Sequence, residues 1–376
     1  LGVAGREEKG HPPRSSSFPL EVFPRSYGDK LWDGVASKLG IQLDHASHAR
    51  NSSPYSGRPE CAAFGVCSIC PIGARYSADF HIEEAEQTGL VDILTETVAR
   101  RIDMASSGKV RAIHASTIDG SDLEVEAGEY VIAAHAIETA RLLLLSNVGN
   151  HSDLVGRNLM EHWYAGVGGT APEPSFPGQT GFITQECSHW YEGDDRQERG
   201  AIKLEFGDFR DTLSAGIAEG LAGVELDAFD RDNFGRWTTI IAEVEHQPNP
   251  DSRISLDETE VDKFGDPVPH ISFALSEIDL HTHAKALDAI SLLLNARGCT
   301  DIDVTHRFAR AHHHMGTCRM SAEPDEGVVD EHGKVHGSQN LHIAGSSVFP
   351  TSGARQPTLT VAALALRLAD RLTTKP

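Results

Sequence analysis

Tyr130-Val131-Ile132-Ala133-Ala134 is an apolar run with no polar alternation, and it leads directly into a helical pattern from Ala136 to Leu145. A continuous apolar strand feeding a helix is the habit of a parallel α/β sheet, whose strands are buried on both faces. Far along the chain, Leu341-His342-Ile343-Ala344 has the same character. It is followed by a Gly345-Ser346 turn and by a helix that opens at Pro357 and runs to about Leu372. The two units read as parts of one parallel sheet assembled from separated segments. Ligands of such sheets sit at the carboxyl ends of the strands. Backbone N–H groups at a glycine turn and at a helix N-terminus can hold phosphate oxygens or other negatively polarised groups, and proline in the first helical turn suits that geometry.

Between these units the texture changes. Residues 166–304 are frequent in glycine and acidic residues and carry recurring strand-like segments at 201–206, 237–244, 253–256 and 270–273, then a helix from about Glu277 to Asn295 with Gly298 beyond its end. This reads as an α+β unit with an antiparallel sheet, inserted into the α/β domain. Residues 1–57 are rich in Pro, Ser, Gly and Arg, with one helical stretch near Gly28 to Leu39. A helix is expected from about Ser77 to Thr88, closed by Gly89. A strand should start at Val91 and reach Val98. A small meander should cover 100–126, turning at Asp119-Gly120. The expected division is 58–165 with 305–376 for the partial α/β domain, and 1–57 with 166–304 for the second domain.

Length and charge narrow the function classes. The 376 residues are enough for two domains, and the net charge of −22 argues against nucleic acid and against anionic membrane surfaces. No apolar run approaches the eighteen or so residues of a membrane span. The chain opens at Leu1 with no charged-then-apolar leader. Its start therefore fixes no location, and cytoplasm and periplasm both stand.

Two clusters could carry chemistry. His312-His313-His314 runs into Met315-Gly316-Thr317-Cys318-Arg319; a histidine tuned near neutrality is the usual general base, and consecutive histidines in an extended segment point in different directions, so one or two can face a common site. Cys61, Cys67 and Cys70, with Pro71 directly after, are spaced in the manner of iron–sulfur ligands. The competing reading is three buried thiols or a disulfide. Two motifs are missing. No Gly-x-Gly-x-x-Gly follows a strand, and there is no Gly-x-Ser-x-Gly elbow.

Several blocks, in order, resemble the glucose–methanol–choline (GMC) flavoprotein oxidoreductases. The run from His313 to Met320, Gly327-Val328-Val329-Asp330, Val335-His336-Gly337 and Gly345 to Pro350 is similar to the family's closing segment. Val131 to Ala134, Ala136 to Leu143 and Val155-Gly156-Arg157-Asn158-Leu159-Met160-Glu161-His162 resemble its middle segment. Ala49-Arg50-Asn51-Ser52 through Cys61 is similar to the branch of gluconate, fructose and FAD-dependent glucose dehydrogenases. The resemblance implies an FAD-binding domain at 58–165 and 305–376, and a substrate or cap domain in the remainder. It implies a dehydrogenase that oxidises a CH–OH group of an alcohol, polyol or sugar and passes hydride to flavin N5, with a quinone, cytochrome or dye as acceptor. By the same resemblance His313 is the active-site base and Gln356 stands where the family has that base's partner. Gly345, Ser346, Pro357 and Thr358 fall at backbone contacts to the cofactor, and Val98 falls where a strand meets the adenine. Some members of this branch carry a three-iron cluster near the three cysteines. Family members begin with a βαβ unit that holds the ADP of FAD, and this sequence is expected to begin after it. A catalytically inactive fragment and a metal-binding module built from the histidines and cysteines are the alternatives.

Overall fold

The computed structural model describes residues 1–8, 11, 13–62, 69–175, 182–207 and 212–374. The two apolar strands found in the sequence pair in parallel: β5 (Tyr130–Ile132) and β13 (Leu341–Ile343), with Leu341 opposite Tyr130 and Ile343 opposite Ile132. Helix α3 (His135–Ser146) follows β5, and α7 (Thr358–Thr373) follows β13 after a short 3-10 turn at Ser346–Val348. Buried Asn340 locks the pair to its neighbour: its Oδ1 accepts from Val110 N at 2.8 Å, and its Nδ2 donates to the carbonyls of Val110 and Gly128. The core here contains Leu143, Leu159, Met160, Met315, Val328, Val329 and Leu341, all fully buried. β5 is shorter than the apolar run promised. Ala134, at φ −96 and ψ 33, has already left the extended conformation, and α3 opens on His135 at φ +66.

Beside this pair lies the expected meander, β2 (Thr97–Met104), β3 (Val110–Thr117) and β4 (Asp122–Val125), turning at Gly120 with φ +94. The strand expected from Val91 begins only at Thr97. Glu96 sits at φ +53, which breaks an extended run, and Leu90 and Leu94 are 88% and 60% exposed. Helix α2 (Asp79–Gln87) precedes this segment.

The second region is a six-stranded antiparallel sheet. Its strands are β1 (Asp44–His45), β6 (Trp163–Thr170), β7 (Gln185–Cys187), β8 (Ile202–Gly207), β9 (Trp237–Val244) and β12 (Thr300–Arg310), in the order β1-β7-β8-β9-β6-β12. Two helices pack on it, α1 (Tyr27–Lys38) and α6 (Glu277–Arg297). Each starts with a reciprocal capping box, Ser26 with Asp29 and Ser276 with Asp279. Trp32 from α1 and Ile290, Leu293 and Leu294 from α6 are fully buried in this core. β6 was not foreseen because Gly166, Gly168 and Gly169 remove its alternation. The glycines are required by packing, since a Cβ at Gly168 would come within 2.4 Å of the Trp237 ring. A hairpin, β10 (Arg253–Val261) with β11 (Pro267–Ser272), is tied to the meander by Arg100–Asp266 at 2.6 Å and to α3 by Arg141–Asp262 at 2.7 Å. Helices α4 (Thr212–Ala218) and α5 (Gly223–Asn233) complete the chain. Among the described residues no helix is long and apolar enough to cross a membrane.

Candidate active site

β12 ends at Arg310, opposite Trp163 at the start of β6. The histidine segment that follows is laced to the residues ahead of β6. Ala311 N donates to His162 O, and Met160 and Met315 exchange both backbone hydrogen bonds. Glu161, fully buried, seals the junction: one carboxylate oxygen accepts from His162 N at 2.9 Å and from His313 N at 2.7 Å. Burial pushes the Glu161 carboxyl above its usual range, against the pull of those amides. His314 Nε2 lies 3.4 Å from the other oxygen. His312 takes φ +60, an uncommon conformation for a residue with a side chain, next to the expected base.

His313 Nδ1 lies 3.0 Å from His162 Nδ1, so the two rings share one hydrogen. Burial, then the nearby His313 and Lys203, push His162 down to about 3. Burial and Lys203 also hold His313 below its ordinary value, against a smaller lift from Glu205.

Behind the ring is a charged row that no local sequence signal announced. Register places Lys203 of β8 directly opposite Glu243 of β9, and Glu243 directly opposite Tyr164 of β6. Lys203 Nζ reaches Glu205 at 2.5 Å, Glu243 at 2.6 Å and Gln356 Oε1 at 2.8 Å, with no exposure of the lysine side chain. Burial opposes the charge on Lys203, but the two carboxylates outweigh it and its pKa is raised. Burial likewise opposes ionisation of Glu205, yet Lys203 holds its carboxyl below the ordinary value. Glu243 goes the other way. Burial and Glu205 prevail over Lys203 and push it up to about 7. The Tyr164 phenol donates to Glu243 at 3.3 Å, and burial with that carboxylate pushes it up as well.

Gln356 enters this row from the segment ahead of α7. Its Nε2 donates to Glu205 at 2.6 Å and to Glu243 at 3.3 Å, while its Oε1 accepts from Lys203. Glu243 Oε1 therefore touches Gln356 and also lies 3.9 Å from His313 Nδ1. The neighbouring Arg355 pairs with Glu186 of β7.

The glycine turn joins the same place. Ser346 Oγ donates to the carbonyl of His314 at 2.7 Å, and Gly316 N donates to Ser346 O. Gly345 has φ +125, and nothing lies within 4 Å of where its Cβ would be. Pro357 caps α7 with no side-chain hydrogen bond, and Thr358, Leu359 and Thr360 are exposed, so the first turn presents its N–H groups outward. His313, Gln356, Gly345, Ser346, Pro357 and Thr358 are thus linked through a short chain of contacts. Val98 stands apart on β2, 37% exposed and opposite Ser116.

The cysteine expectation finds no support. Cys61 and Cys70 are free thiols, and Cys67 lies outside the described residues. Cys61 Sγ accepts from Arg50 and Cys70 Sγ from Arg75 N, each at 3.4 Å. Among the described residues, the grouping with metal-ligand spacing is His162, Glu243 and His313. Lys203, 2.6 Å from Glu243, already supplies a cation beside that grouping, which shares only His313 with the histidine–cysteine module expected from the sequence.

A GMC oxidoreductase family profile matches residues 30–164 with its N-terminal part and 248–365 with its C-terminal part. The chain is 32% identical to the fructose dehydrogenase large subunit of Gluconobacter japonicus over 383 residues, covering 99% of this chain and 70% of that protein. It is 31% identical to 6'''-hydroxyparomomycin C oxidase of Streptomyces lividus, covering 98% and 68%. It is 21% identical to the gluconate 2-dehydrogenase flavoprotein of Pantoea cypripedii, covering 96% and 65%. In fold it is similar to pyridoxine 4-oxidase from Mesorbium loti, with a TM-score of 0.64 at 18% identity over 100% of this chain and 72% of that one. It is also similar to formate oxidase from Aspergillus oryzae, at 0.68 and 16% over 94% and 71%. The chain belongs to the GMC oxidoreductase family.

Proposed function

We propose that this chain oxidises a CH–OH group of an alcohol, polyol or sugar in an FAD-dependent reaction, with His313 as the base that takes the hydroxyl proton. The observation that carries this is the 3.0 Å contact between the Nδ1 atoms of His313 and His162, on a loop bonded to Ser346. His162 stays neutral down to about pH 3 and accepts the Nδ1 hydrogen of His313. That tautomer leaves His313 Nε2 with a free lone pair, the form a general base needs. Its lowered proton affinity keeps the ring neutral at pH 7.

The backbone around it fits a flavin. Gly345 leaves a side-chain-sized space, Ser346 ties the turn to the histidine loop, and the open first turn of α7 after Pro357 can donate N–H groups to a phosphate or ring oxygen, with Thr358 beside them. Val98 is assigned to the adenine side. Bound FAD supplies the acceptor for the hydride that leaves the carbinol carbon. Gln356 does not reach the substrate in this scheme, because both ends of its amide are taken. The relatives named as fructose and gluconate dehydrogenases favour a polyhydroxylated substrate, and we assign a quinone, cytochrome or dye as the acceptor. The relative named as an oxidase is the ground for a second reading, with oxygen as acceptor.

The test is anaerobic flavin reduction by a panel of aldoses, polyols and aldonates in the FAD-loaded protein. His313→Gln should slow reduction by a factor on the order of 100 or more while flavin absorbance is retained. Near-normal reduction removes His313 from the role. Reoxidation by a dye but not by oxygen supports the dehydrogenase assignment.

A further inference from the structure

The row behind the base carries an imbalance of charge. Lys203 brings one positive charge to two carboxylates, the part-buried Glu205 at 2.5 Å and the fully buried Glu243 at 2.6 Å. One carboxylate is left over, and a buried carboxylate with no counter-charge is strongly disfavoured. Burial accordingly pushes Glu243 up to about 7 even with Lys203 beside it. His313 has the opposite need. Its side chain is 19% exposed, and once it takes a proton it becomes a largely buried cation. The neutral His162 cannot balance that charge, and Glu161 touches His313 only through the backbone N–H. Glu243 Oε1, at 3.9 Å from His313 Nδ1, can.

We propose that Glu243 is a positioning residue for the base: it is the counter-ion of the imidazolium that His313 becomes, and Lys203, with Glu205, sets how much negative charge it offers. The inference rests on His313 being the base. In the step, the substrate O–H bond breaks with its electron pair left on the substrate oxygen as an alkoxide, a His313 Nε2–H bond forms, and the new positive charge on the ring is balanced by the carboxylate of Glu243. Around Glu243 the other groups are Lys203 and Glu205 from β8, Tyr164 from β6, Gln356 ahead of α7, and His162. Around His313 they are His162, Glu243, Glu161 and His312, with Lys203 and Glu205 acting at longer range.

The experiment follows the His313 ring by NMR of histidine-labelled protein, assigned with His313→Gln, and in parallel the pH profile of flavin reduction in the FAD-loaded enzyme. Glu243→Gln should lower the His313 midpoint by about one pH unit or more and slow reduction on the order of tenfold. Lys203→Met should raise the midpoint, and Glu243→Asp, which keeps the charge, should leave it near that of the unmodified chain. Opposite shifts are not what loss of packing produces. Should Glu243→Gln not fold, the Lys203→Met and Glu243→Asp midpoints decide. Midpoints unmoved by Glu243→Gln and Lys203→Met overturn the counter-ion role. A normal reduction rate in His313→Gln would instead overturn the base itself, a different failure.

Discussion

The six-stranded antiparallel sheet and the parallel β5–β13 pair meet at the site but are built in opposite ways. The sheet is covered by α1 and α6, and its middle strands hide Lys203, Glu243 and Trp32 completely. The parallel pair is buried at Tyr130, Ile132, Leu341, His342 and Ile343 but open at Val131, which is 44% exposed, and among the described residues Leu368 is the buried residue of α7. The first region contributes side-chain charge, held by cross-strand register inside a tight core. The second contributes backbone, a glycine turn and a helix start whose N–H groups face outward. Strong electrostatics require exclusion of water, whereas a backbone cradle requires access, so the two demands fall on different layers.

Substitutions that separate the regions should differ in size. Trp32→Ala removes a fully buried ring that packs on Phe206 at 5.3 Å and lies under Arg297, and should cost about 3–5 kcal/mol in chemical unfolding. A loss below about 1 kcal/mol would mean that the sheet core is looser than its burial implies. The next effect is one of pH. His162 remains neutral in the fold to about pH 3, while an unfolded histidine binds a proton near about 6.5. The unfolded state therefore gains protons first, and stability falls as pH drops through that value, on the order of 3 kcal/mol by about pH 4. His162→Gln should flatten this acid limb; an unchanged limb would assign it to other groups. In the open region, Gly345→Ala meets no neighbour but must hold φ +125, and should cost about 1–3 kcal/mol in thermal unfolding and weaken FAD binding. The smallest change is expected at Leu366, 68% exposed on α7, where a serine should shift stability of the 376-residue chain by less than about 0.5 kcal/mol. A large loss there would close the gap between the regions.

The same division governs what could be read in advance. β5, β13 and the helices after them were legible because a continuous apolar run and a proline-started helix are local signals. The hairpin at Asp119-Gly120 was legible for the same reason. His313 could be singled out from its run of histidines and its resemblance to a family segment. Its partners could not. Lys203, Glu243 and Tyr164 come from three strands whose alignment is set by register, and each alone resembles an ordinary polar residue facing solvent. β8 carried the available hint, since Lys203 and Glu205 share one face of a strand whose other positions are apolar. β6 was hidden by glycines needed for a close approach to Trp237. The start of β2 was misplaced because nothing in Val91-Asp92-Ile93-Leu94 reveals the left-handed residue at Glu96.

Gln356 occupies a peculiar station. It directly precedes Pro357, the residue on which α7 begins, yet its amide is clamped between Lys203, Glu205 and Glu243 on the far layer. The helix start is thereby moored to an ionic knot. Through that one amide the charged row and the first turn of α7 are held in a single arrangement.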